Sequence, residues 1–286
     1  MKKRVLLLGL VVLMVLTGCG TTEKETKTKE KDPDKLVLNI GDKKEDNIQE
    51  EQTDMQEQAS QPDGQSQAEE ANEQQPQKNG HLIAIDAGHQ ARGNFATEPV
   101  GPGSSTRKAK VAGGATGVAS HVPEYKLTLA VSKKLQKELK ARGYKVYMIR
   151  TKNNVNISNK KRAQLANKSG ADIYIRIHAD SSNSRAVTGA SGLYPSKANR
   201  YVSKLSAKSK KLSSCLLKSY CKKTKIRNRG LVARDDLTGT NWSKIPVSLI
   251  EMGFLSNPSE DRKMQKSNFQ TKMAKGIADG IDAYFK

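Results

Sequence analysis

The sequence predicts an α/β fold: a twisted, mostly parallel sheet flanked by helices, forming one globular domain behind a disordered linker. Two observations predict it. From Leu82 onward, short apolar runs alternate with segments of helical period, the pattern of parallel strands joined by crossover helices. Three of those runs also end in a polar side chain: Leu82-Ile-Ala-Ile-Asp-Ala-Gly-His89, Asp172-Ile-Tyr-Ile-Arg-Ile-His178 and Pro246-Val-Ser-Leu-Ile-Glu251. Side chains just past the carboxyl ends of parallel strands converge on one rim, where such sheets bind ligands. Residues 81–286 have the length of a single domain, which spans about 50–250 residues.

Leu82–Asp86 reads as the first strand. A Gly-rich loop without structure of its own follows, up to Val122, and a loop of that length is expected to border a cleft and to move. Glu124–Arg142 reads as a helix, with Leu127, Val131, Leu135 and Leu139 at four-residue spacing and Gly143 as its stop. Tyr144–Ile149 is a strand. Ser158 is the cap of a helix to Lys168 that stops at Gly170. Ile173–Ile177 is a buried strand and Gly192–Tyr194 a short one. A Lys-rich helix is expected over Lys197–Lys223, then strands at Leu231–Ala233 and Val247–Ile250, and a last helix over Asn268–Tyr284. That helix would carry Cys215 and Cys221 on different faces, so a disulfide requires it to end between them.

The amino terminus is not part of the fold. Met1-Lys-Lys-Arg4 precedes an apolar run, Val5–Leu16, too short for the roughly 20 residues that span a bilayer; it reads as a secretory signal over residues 1–18. Its end, Leu16-Thr17-Gly18-Cys19, resembles the bacterial lipobox, which implies lipidation of Cys19 and an anchor on the outer face of the cell membrane. Residues 19–80 are then a polar leash, rich in Glu, Gln and Lys and poor in aromatic residues. It cannot bury enough apolar surface to offset the entropy of ordering. Only Leu36–Ile40 interrupts it.

The net charge of +21 conceals an asymmetry: residues 20–80 hold 8 basic and 16 acidic side chains, and residues 81–286 carry a net +26. An exported domain this basic is expected near anionic wall polymers, peptidoglycan carboxylates or lipid headgroups. Nucleic acid is excluded as a partner by export and by the shortage of aromatic side chains for stacking beside Trp242.

His89 and His178 are two of only four histidines, and their equivalent placement at strand ends points to a metal. A catalytic zinc takes three protein ligands and leaves one position open. A helix that follows a strand begins on the same rim, so Glu124 in a first turn is a candidate third ligand. A carboxylate placed there only to suit the helix dipole is the plainer reading of that residue alone, and His121 competes for the ligand role. His81 lies before the first strand, at the wrong end. Asp86 is placed to orient an imidazole from behind, as ligand-supporting carboxylates do. Glu251, ending a strand before Gly253, is left to act as acid/base on a metal-bound water.

Taken together, Ile83-Ala-Ile-Asp-Ala-Gly-His89, Glu124 opening a helix, Arg150-Thr151, Arg162-Ala-Gln-Leu-Ala-Asn167, Ile177-His178-Ala179, and Leu249-Ile-Glu-Met-Gly-Phe-Leu-Ser-Asn257 with Glu260 resemble the type-3 catalytic domain of zinc-dependent N-acetylmuramoyl-L-alanine amidases. The resemblance spans Leu82–Phe285. It implies a six-stranded mixed sheet, one zinc ion on His89, Glu124 and His178, Glu251 as catalytic acid/base, and cleavage of the amide between N-acetylmuramic acid and L-alanine of peptidoglycan. The sequence departs from the family at two places: Asp180 stands where Asn is common, and Gln90-Ala91 replaces a Gly-Gly pair. A stem-peptide zinc peptidase and a non-catalytic wall-binding lipoprotein are the competing readings.

Overall fold

The computed structural model describes residues 80–286. The expected signal segment, Cys19, the leash and its Leu36–Ile40 patch lie outside the described residues. Among the described residues, no helix is long and apolar enough to cross a membrane.

The elements follow in the order β1 (Leu82–Ala87), β2 (Asn94–Pro99), β3 (Arg107–Val111), α1 (Glu124–Ala141), β4 (Lys145–Met148), α2 (Asn159–Lys168), β5 (Ile173–Asp180), β6 (Ala190–Tyr194), α3 (Ser206–Thr224), β7 (Asn228–Ala233), α4 (Thr238–Asn241), β8 (Val247–Phe254), α5 (Pro258–Gln265) and α6 (Ser267–Phe285). Six strands form one sheet in the order β4-β1-β5-β8-β6-β7. Its pairs are parallel except β6 against β8, so the sheet is mixed and mostly parallel.

Strand alternation sorts the side chains into two layers. Ile83, Ile85, Ile173, Ile175, Ile177, Ile250 and Met252 form the core face with apolar residues of α1, α3 and α6. Ala84, Tyr174 and Val247 face the other way, packed with Ala163 and Ala166 of α2. Toward the carboxyl rim that second face turns polar. Asp86, Arg176 and His178 are all buried there, and the site grows from this change.

Three expectations are corrected. The stretch to Val122 is not a structureless loop: β2 and β3 pair antiparallel within it. The Lys-rich helix starts at Ser206 rather than Lys197. Asn199 Oδ1 accepts from the amides of Tyr201 and Val202 at 2.9 and 3.0 Å, a side-chain turn that competes with helix. Helix α5 was not anticipated, although Asn257 caps it and Pro258 opens it as such residues do. The Ser158 cap is present, accepting from the amide of Lys161 at 3.2 Å. Cys215 and Cys221 lie within the continuous α3 and are free thiols.

Candidate metal centre

Three elements deliver the donors. His89 follows β1 in a turn, His178 lies inside β5, and Glu124 opens α1. Their ligand atoms all lie within 4.8 Å of one another. The two imidazoles meet edge to face, with ring centroids 4.8 Å apart. Glu124 sits beneath them: Oε2 is 3.2 Å from His89 Nε2, and Oε1 is 3.2 Å from His178 Nδ1. His121 is exposed and outside this group, so Glu124 takes the third place.

The backbone fixes this arrangement from several directions. His89 adopts φ 59°, a left-handed conformation that costs a residue with a Cβ about 1–2 kcal/mol. Two buried arginines hold the turn in that shape. Arg150 donates to the carbonyls of Ala87 and Gly88 at 2.8 and 2.9 Å. Arg162 donates to the carbonyls of Ala87 and His89, each at 2.9 Å. Gly88 lies flat against the His178 ring, and any Cβ there would overlap the imidazole. Gly114, at φ 83°, passes equally close to Glu124 and His89.

Asp86 differs from its expected role. Its oxygens do not reach an imidazole; they accept from Arg162 at 2.6 Å, Tyr174 at 2.9 Å and Arg176 at 3.1 Å. It therefore acts on His89 through Arg162. Burial works to raise the Asp86 carboxyl, and the two guanidinium charges prevail, holding it below the usual carboxylate range. Gln90 is likewise a buttress: it is buried, accepts from Arg162 and from the Ile157 amide at 3.0 Å each, and donates to the Arg92 carbonyl.

Whether these residues fit a metal can be judged from their hydrogen bonds. His89 Nδ1 lies 2.9 Å from the Ala112 carbonyl. A carbonyl only accepts, so Nδ1 carries a proton. Burial works to lower the His89 imidazole, but the Glu124 carboxylate facing Nε2 outweighs it and raises the ring above its ordinary 6.5. A cation held there would take the Nε2 lone pair in place of that proton. His178 Nε2 is buried without a partner. Burial lowers the His178 imidazole to about 4 despite its hydrogen bond to Glu124, favouring the neutral form that binds metals. Glu124 is raised by burial, yet the bonds from His178 and His89 outweigh this and hold it ionised. Backbone amides of Ala115 and Ala179 steady its two oxygens at 3.0 Å. Two imidazoles and a carboxylate, with one open side, are a donor set that suits zinc.

That open side is a cavity of about 390 Å³, lined by His89, His178 and Glu251 and by Lys108, Arg234 and Asp236. Glu251 pairs in register with His178 on β5 and with Ser191 on β6. On neighbouring strands such positions share a face, so Glu251 stands beside the imidazole. Its Oε2 is enclosed and unpartnered. Burial, then the charges of Glu124 and Asp180, push its carboxyl well above the ordinary range of 4.5. Lys108 on β3 donates to Asp236 at 2.8 Å, so the hairpin borders the cleft as expected.

A parallel-stranded rim carrying a His, Glu, His donor group, with an unpaired carboxyl beside it, defines a hydrolase with a candidate metal centre. The comparisons agree. Residues 83–283 match the family described as N-acetylmuramoyl-L-alanine amidase, and the chain belongs to that family. An N-acetylmuramoyl-L-alanine amidase of Clostridium difficile 630 has a similar structure, with 30% identity, TM-score 0.58, and 72% of this chain against 96% of that one covered. The catalytic domain of CwlV from Bacillus (Paenibacillus) polymyxa is similar at 26% identity and TM-score 0.58, over 72% of this chain and 98% of that one. The germination-specific N-acetylmuramoyl-L-alanine amidase of Bacillus subtilis is 34% identical over 128 residues, covering 44% of this chain and 50% of its own length. This chain thus spans half of that relative. It is an enzyme that acts on peptidoglycan.

Proposed function

We infer that the chain cleaves the amide joining N-acetylmuramic acid to L-alanine with the help of one zinc ion held by His89, Glu124 and His178. The observation that supports this best is Glu251: an enclosed, unpaired carboxyl beside the donor group, in a cavity open to substrate. When bound, zinc polarises the scissile carbonyl and acidifies the attacking water. Glu251 takes the proton from that water and returns it to the departing alanine nitrogen. Its raised affinity for protons suits the second task. Arg150, Arg162 and Asp86 hold the His89 turn still while this happens, and Ala112 keeps the His89 ring in one tautomer.

Digested cell wall analysed by mass spectrometry tests the reading. Free stem peptides beginning with alanine are expected; fragments cut within the stem would indicate the peptidase instead. The charge of Asp180 adds a finer expectation. Asp180→Asn removes one of the charges that raise Glu251, so the acid limb of the kcat/KM profile should move to lower pH, by less than about one unit. An unmoved limb would detach Asp180 from Glu251.

The same reading places the enzyme outside the cytoplasmic membrane, anchored through a lipid on Cys19, with the polar leash giving it reach into the wall. Fractionation of cells checks the anchor. Cys19→Ser is expected to leave the membrane fraction, and continued membrane retention would refute lipid attachment.

A further inference from the structure

We propose that the face built by α3 and the edge strand β7 is a docking track for an anionic, phosphodiester-linked polymer, entered through a basic cavity between them. From Ser181 to Arg234 the chain has fourteen Lys and Arg residues and no Asp or Glu. Lys208, Lys210, Lys211, Lys218, Lys222 and Lys223 are all exposed along α3, and Arg227, Arg229 and Arg234 are exposed along and just past β7. Of these, Lys223 is paired with Asp279 at 3.2 Å and Arg234 with Asp236 at 2.7 Å. Strand β7 is the last of its sheet. Charges on an edge strand also discourage strand pairing, but α3 is no edge and carries the larger share.

Between the two elements lies a cavity of about 570 Å³, lined among others by Lys197, Lys210, Lys211, Ser214 and Tyr194. Lys210 stands over the Tyr194 ring at 5.9 Å, and Lys211 donates to the Tyr284 carbonyl at 3.1 Å. No carboxylate lines the cavity. The nearest in sequence, Asp235, accepts from the hydroxyl and amide of Ser196, which lines the cavity, and from Asn199, and these bonds hold it as one anion at the rim. Three ammonium groups, with the Ser214 hydroxyl beside them, outnumber it and are suited to phosphate oxygens.

The shape of the track selects a polymer over a bilayer. A helix that lies on a membrane presents Trp, Phe or Leu beside its cations. Here Leu212, Leu216 and Leu217 of α3 are buried beneath it. Among the described residues, the exposed large apolar side chains are Phe95 of β2 and Val232 of β7. The track itself thus offers one valine and none of the aromatic or leucine side chains a membrane-seated helix presents. The track is also directional. Strand β7 runs from Arg229 toward Arg234, which lines the metal cavity, so a strand held on α3 and β7 would lie beside the cleft. The choice of a wall polymer rests on the wall-directed reading above; the preference for polyanions does not.

Binding of the full chain to soluble poly(glycerol phosphate), followed by fluorescence at several salt concentrations, tests this. Wild-type protein should bind and weaken steeply with salt, as counterion release requires. Lys197→Glu with Lys210→Glu should lose at least ten-fold in affinity, Lys197→Arg with Lys210→Arg should keep it, and both should hydrolyse a soluble muropeptide like the wild type. Equal binding by the Glu variant would overturn the proposal. So would wild-type protein that ignores the polymer, or prefers phosphatidylglycerol vesicles to it. The muropeptide assay reads the catalytic assignment separately, so the two can fail independently.

Discussion

Glu251→Gln is expected to fold normally, bind zinc at the wild-type level and lose muropeptide hydrolysis by about 10²–10⁴-fold, the usual contribution of a positioned acid/base. The reason lies in the neighbourhood. Glu251 is adjacent to His178 in register but is absent from the donor group of His89, Glu124 and His178, so its amide analogue leaves those donors untouched. An amide cannot take up the proton from water at neutral pH, nor return one to the leaving nitrogen. Zinc content measured beside kcat/KM separates the two roles. Loss of metal together with activity would make Glu251 a ligand, and full activity would remove it from the reaction.

The second large effect is one of stability. Asp86 and Arg162 are both wholly buried and joined at 2.6 Å, with Arg176 on the other oxygen at 3.1 Å. Asp86→Asn keeps the shape and removes the one anion between two guanidinium groups. Uncompensated buried charge costs about 3–5 kcal/mol, which for a domain of this size lowers Tm by roughly 6–20 °C. The pH dependence should change as well. The folded-state carboxyl titrates below its ordinary 3.8, so its stabilisation is complete above that value and is lost as pH falls through the lower folded value. Thermal melts of the wild type should therefore decline in acid through this group, and Asp86→Asn should lack that component. Coincident curves would show that the carboxylate contributes nothing.

The Asp86 cluster also shows where sequence reading ends. That His89 and His178 share a rim was legible, because apolar strands of period two aimed them there. The rule that a crossover helix begins on the same rim puts Glu124 near the two imidazoles, where metal donors could meet. The residue alone reads equally well as a helix-dipole carboxylate, and only the resemblance singles it out. The partners of Asp86 were not legible: Arg162 and Arg176 lie 76 and 90 residues further on, and no local pattern joins them. The β2–β3 hairpin escaped for a different reason. Its strands carry Asn, Thr, Glu, Arg and Lys and bury little, so the alternation that betrays a strand is missing. Helix α5 left a signal, since Asn257-Pro258 is a capped start with Glu260 and Asp261 in its first turn. That helix matters to the site through Asp261, which accepts from the amides of Ala119 and Ser120 at 2.8 and 2.7 Å and so braces the segment that leads into Glu124.

Everything chemical in this account depends on a single cation shared by side chains that are 35 and 54 positions apart along the chain. Elemental analysis of the purified full-length protein measures this directly, with His178→Ala prepared alongside. Close to one zinc per wild-type chain and almost none in the variant is the expected result. Wild-type protein devoid of zinc after reconstitution, or a variant that keeps its full complement, would contradict it.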